Sequence, residues 1–173
     1  MAGIVATRAG LRSVLVGLVL AALVGAGCGV VQSQALLATL PTSAGGVNFD
    51  ISRVIDDSFL SGHPVDDVLT ALGKRRSDAT IVERYGGVGG GDGGIGAFVV
   101  GGVPGDVLLD TFVQTWLAPA VVGRAQTTIG DRDVWALDLR PNHVFLAYQR
   151  GSTIYWAGTD DRSLAEQFIA AMP

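Results

Sequence analysis

The chain has 173 residues, 49% of them apolar, enough for one domain with a real core. Its 12 basic and 16 acidic residues give a net charge of −4. Setting aside Arg8 and Arg12, the only basic residues before position 28, leaves 10 basic against 16 acidic. That balance argues against nucleic acid, whose phosphates need a basic footprint, and against a polybasic grip on anionic lipid. A single cysteine excludes a disulfide framework within the chain.

The N-terminal order is basic, apolar, small, cysteine. Arg8 and Arg12 precede an uncharged stretch whose apolar body is Val14, Leu15, Val16, Leu18, Val19, Leu20, Leu23 and Val24. It closes on Gly25-Ala26-Gly27-Cys28. A short apolar core ending in small residues is how a secretory leader reads, because the peptidase needs an extended backbone and tiny side chains at the cut.

With Cys28 directly after the small residues, the segment resembles the lipobox of bacterial lipoproteins. The resemblance covers only this leader. It implies a signal peptide over 1–27, a diacylglyceryl group on Cys28 and anchoring at the outer face of the cell membrane. Two acyl chains suffice for stable anchoring, since each buried methylene contributes about 0.8 kcal/mol. Gly25 departs from the larger residue common at that position. An uncleaved transmembrane anchor is the alternative, because no charge appears from Val14 to Val31 and such a run can span a bilayer. An ordinary leader is the third. All three place the folded domain outside the cytoplasm.

Residues 28–46 read as a lipidated N-terminus and flexible tether ending in Leu40-Pro41-Thr42-Ser43-Ala44-Gly45-Gly46, with a short helical piece at Ala35–Leu40. The folded domain is placed at 47–173. Val47, Phe49 and Ile51 alternate with polar residues as in a half-buried strand. Pro64 opens a helix bearing Val65, Val68, Leu69 and Leu72 on one face, with Asp66 and Asp67 in its first turn and Gly73 as its stop.

Further strands are expected at Ala79–Tyr85 and Ile95–Val103, around a loop of glycines at Gly86–Gly96. Pro104, Gly105 and Asp106 start a second helix carrying Leu108, Leu109, Phe112, Val113, Trp116 and Leu117. Gln126–Ile129 and Val134–Leu139 flank a hairpin signal, Gly130-Asp131-Arg132-Asp133. Val144–Gln149 and Thr153–Ala157 flank a second, Arg150-Gly151-Ser152. Asp160 caps a last helix with Leu164, Phe168, Ile169 and Met172 inward.

This order gives an α+β fold: a two-layer, antiparallel-rich sheet with helices on one face. Its first six elements follow the split βαβ order of ferredoxin-like folds, a resemblance of topology that carries no function.

Motifs for chemistry are few. Gly91-Asp92-Gly93-Gly94-Ile95-Gly96 spells G-x-G-x-x-G, but a strand comes after it, where a dinucleotide site needs a helix. A hairpin loop explains it better, and no cofactor is assigned. Ser61, His63 and Asp66 or Asp67 are the nearest approach to a hydrolase set, yet they crowd one loop and a helix start. His63 and His143 are the only histidines, too few for a zinc site. The acidic pairs Asp56-Asp57, Asp66-Asp67 and Asp160-Asp161 read as solvated turns and helix starts, with weak calcium binding as the other reading.

The C-terminal hairpin has surplus apolar surface. Val144, Leu146 and Tyr148, with Ile154 and Trp156, are core candidates, as are Trp116 and Trp135. The other face offers Phe145, Ala147, Tyr155 and Ala157. That face is either a covered central strand or an interaction patch centred on Phe145 and Tyr155. The expectation is a membrane-anchored extracytoplasmic lipoprotein binding a protein, glycan or lipid. The alternatives are an extracytoplasmic hydrolase, and a protein held by an uncleaved transmembrane helix.

Overall fold

A computed structural model describes residues 28–55, 65–87, 93–117, 119–139 and 142–173, without the side chains of 28–31. The leader, Asp56, Asp57, Ser61, His63 and the middle of the glycine loop lie outside the described residues. Helix α1 (Cys28–Thr39) precedes a small hairpin, β1 (Ser43–Ala44) and β2 (Val47–Asn48), turned at Gly45-Gly46. Leu36, Leu40 and Ala44 are buried within the compact unit Ser33–Pro173. Packing therefore begins ahead of the boundary at Val47 that composition suggests.

The remaining elements are β3 (Ile51–Ile55), α2 (Val65–Ala71), β4 (Ala79–Gly86), β5 (Gly93–Val100), α3 (Gly105–Phe112), β6 (Val121–Ile129), β7 (Arg132–Leu139), β8 (His143–Arg150), β9 (Thr153–Thr159) and α4 (Arg162–Ala171). A π-helical turn, Val113–Leu117, extends α3. Seven strands form one antiparallel sheet in the order β3-β4-β5-β9-β8-β7-β6. After β5, α3 carries the chain to the far edge, and β6 to β9 meander back until β9 pairs with β5. That return departs from the ferredoxin-like expectation. In a split βαβ unit the strands flanking a helix are parallel with another strand between them. Here β3 and β4, joined through α2, are antiparallel neighbours.

The fold is α+β around one antiparallel sheet, and helices cover both of its faces where the element order suggested one. Side chains alternate across a strand, and both parities are buried in the central strands. One face carries Ile81, Phe98, Leu137, Phe145, Ile154 and Trp156 under α2, α3 and the π turn. The opposite face carries Val82, Ala97, Ala136, Leu146, Tyr148 and Tyr155 under α1 and α4. The β8–β9 loop sets which residues share a face. Arg150 pairs with Thr153, leaving a two-residue loop, Gly151-Ser152. A three-residue loop, Arg150-Gly151-Ser152, would have reversed the parity of one strand, because a one-residue slip turns every side chain over. Tyr155 therefore lies beside Tyr148, and Trp156 beside Ala147.

Asp161, not Asp160, caps α4, its carboxylate accepting from Ser163 N (2.8 Å) and Leu164 N (3.2 Å). The far end of α4 is held by Arg132, which donates to the carbonyls of Ile169 (2.9 Å) and Met172 (2.8 Å). Tyr148 donates its hydroxyl to Pro173 O at 2.7 Å. Burial pushes the Tyr148 hydroxyl up to about 12, so it stays a donor at any physiological pH.

Candidate functional site

At one end of the sheet, on the α2/α3 face, three alternate positions are glycine. Gly94 and Gly158 are cross-strand partners, and Gly96 pairs with Trp156. Without Cβ atoms, neighbouring rings lie down over the backbone. A Cβ on Gly96 would sit 2.2 Å from Trp156 Cζ2, one on Gly94 2.8 Å from the Tyr85 ring, and one on Gly158 2.8 Å from His143 Nε2. All three distances are closer than packed atoms tolerate. Gly94 and Gly158 thus make a floor, Gly96 gives Trp156 room to lie down beside it, and the fallen rings make walls.

The result is an open cavity of about 250 Å³ lined by Glu83, Tyr85, Trp116, His143, Phe145 and Trp156 above that floor. It falls below the roughly 300 Å³ at which drug-sized sites begin. Phe145 stacks on Trp156 (centroids 6.4 Å, 17°), and Trp116 meets Trp156 edge-on (6.1 Å, 67°). Phe112 underpins both tryptophans, 4.6 Å from Trp116 and 5.7 Å from Trp156. These rings form a rigid aromatic corner.

Glu83 is the anomaly. It stands in β4 at an inward position, two residues after buried Ile81, and is only 7% exposed. Buried carboxylates are rare without partners. Its Oε2 accepts from the Tyr85 hydroxyl at 2.5 Å. Desolvation raises the carboxyl above its usual range, and the Tyr85 hydrogen bond and the Arg53 charge pull it partly back. Tyr85 is raised as well, first by burial and then by the adjacent Glu83. Arg53, register partner of Glu83 in β3, holds its guanidinium 5.2 Å from the Tyr85 ring centroid.

His143 brings a second polar group. Its Nδ1 donates to Asp160 Oδ1 at 2.9 Å. A carboxylate only accepts, so Nδ1 is the donor, and Nε2 lies over Gly158. The polar groups that line the cavity are the Glu83 carboxyl, the Tyr85 hydroxyl, the His143 ring and the indole N–H groups of Trp116 and Trp156, with Glu83 the one carboxyl among them. No lysine or arginine, and no serine, threonine or cysteine, is among the described residues that line it.

Phe145 (8% exposed) and Tyr155 (6%) lie on opposite faces and cannot form one patch. Phe145 instead helps wall the cavity, while Tyr155 packs against Tyr148 at 5.4 Å. Of the acidic pairs, Asp66 binds Arg76 through Nε at 2.8 Å, Asp160 binds His143, and Asp161 caps α4. Among the described residues no group of three metal-ligating side chains converges. Nor is any described helix long and apolar enough to cross a membrane. No family model, curated protein or solved structure matches the chain.

Proposed function

We propose that the chain is a lipid-anchored extracytoplasmic binding protein that takes a small ligand in the glycine-floored cavity. One observation carries the binding half: Glu83 is a desolvated carboxyl beside an open aromatic cavity. Burying a carboxyl there costs desolvation that the Tyr85 hydrogen bond and the Arg53 charge only partly offset. Polar groups held at such a cost are characteristic of sites. The anchoring half is supported by Gly25-Ala26-Gly27-Cys28, with the uncleaved anchor as its alternative.

Two measurements test the proposal. Radiolabelled palmitate should enter the wild type and not Cys28→Ser, and the intact mass of the membrane form should start at an acylated Cys28. A full-length product beginning at Met1 and free of label contradicts the anchor. For the cavity, a small-molecule screen read by tryptophan fluorescence should yield a saturable response, since Trp116 and Trp156 line it. A response that survives filling the cavity with Gly158→Phe contradicts the site.

A further inference from the structure

We infer that the ligand of this cavity is an organic ammonium cation, held by its charge against Glu83 and by its alkyl groups against the Trp116–Trp156 corner. The inference rests on the binding reading above and assigns its ligand class. Three features converge on it. The walls are aromatic, and the faces of such rings attract cations once water is excluded. One buried carboxyl, Glu83, stands among the lining groups. No lysine or arginine is among the described residues that line the cavity, whereas a carboxyl is.

A sugar fits less well. It needs several paired donors and acceptors around its ring, and the lining is mostly aromatic, with the Tyr85 hydroxyl already committed to Glu83. The volume of about 250 Å³ suits a group of trimethylammonium size. Arg53, over the Tyr85 ring on the β3 side, opposes a cation at longer range and sets an upper bound on affinity.

Protonation gives the inference a second signature. The groups facing Glu83 are Tyr85 on its own strand, Arg53 on β3 and His143, held by Asp160, on β8. β5 contributes glycines, β9 Trp156 and Gly158, and the π turn Trp116. A cation binds the ionised carboxylate, so affinity should fall as acidification protonates Glu83.

The test uses the full chain in an uncharged polyoxyethylene detergent, titrated with choline, with its neutral carbon analogue 3,3-dimethylbutan-1-ol, and with glucose. Choline should quench tryptophan fluorescence saturably, and the alcohol should bind roughly tenfold or more weakly. Glu83→Gln should weaken choline to the level of the alcohol and leave the alcohol unchanged, which doubles as the folding control. Choline affinity of the wild type should also drop on acidification, a readout that needs no variant. Equal binding of choline and the alcohol, or binding of glucose without choline, overturns the ammonium assignment and leaves the cavity standing as a site. Failure of all three probes also overturns the assignment, and the broader screen then decides the binding reading separately.

Discussion

Gly96→Ala probes the construction of the cavity most sharply. The new Cβ would lie 2.2 Å from Cζ2, 2.3 Å from Cε2 and 2.8 Å from Cη2 of Trp156, so it would overlap the indole face and not a flexible tip. Trp156 cannot withdraw freely, because Phe145 stacks on it and Phe112 and Trp116 stand 5.7 and 6.1 Å away. Overpacking of this kind costs about 1–3 kcal/mol, and the rigid surroundings place it at the upper end. For a domain of this size that lowers Tm by about 5–10 °C. Gly101→Ala is the matched control. Its nearest neighbour would be Asp78 O at 3.5 Å, an ordinary contact, so the change should stay within about 0.5 kcal/mol. Urea unfolding and near-ultraviolet circular dichroism of both variants suffice. Equal stabilities, with an unaltered tryptophan signal in Gly96→Ala, would show that Trp156 does not need the room at Gly96.

Four further outcomes are expected. Glu83→Gln should be more stable than wild type at neutral pH, because it removes a carboxyl that ionises against desolvation. A carboxyl raised in the folded state contributes stability below its unfolded value and loses it as pH rises through the folded one. The advantage of the variant should therefore shrink as pH falls toward the ordinary carboxylate range, as read by denaturant unfolding at several pH values. Phe112→Ala, fully buried under the aromatic corner, should cost about 3–5 kcal/mol in the same assay. Asp161→Ala should cost about 1 kcal/mol by removing the cap of α4. Phe145→Ser and Tyr155→Ser should each destabilise the fold strongly in thermal melts, since both rings are core, where an exposed patch would have tolerated them.

Much of the fold is legible in local chemistry. Val65, Val68 and Leu69 at helical spacing, acidic residues among them and Gly73 beyond mark α2, and Gly130-Asp131 marks the β6–β7 turn. Face assignment is not legible. β8 and β9 are apolar on both parities, so alternation cannot say which residues point together, and one residue of loop length decides it. Helices on both faces reflect the same ambiguity.

The site escapes sequence reasoning for a related cause. Gly93, Gly94 and Gly96 read with their neighbours as a loop, whereas they belong to β5. Their alternation with Ile95 and Ala97 is the available signal: a strand apolar on one face and bare on the other. Glu83, in step with Ile81 on an apolar strand, is the second. Neither acquires meaning until pairing sets Glu83 opposite Gly96 and Tyr85 opposite Gly94. His143 has too few companions for a metal site, and its role depends on Asp160, seventeen positions away.

The most direct test is a titration of the Glu83 side-chain carboxyl by carbon NMR, in the full chain, without and with choline. The expected result is a midpoint above the ordinary carboxylate range in the free protein and a lower one when the cation is bound. An ordinary midpoint that choline leaves unmoved would contradict the assignment.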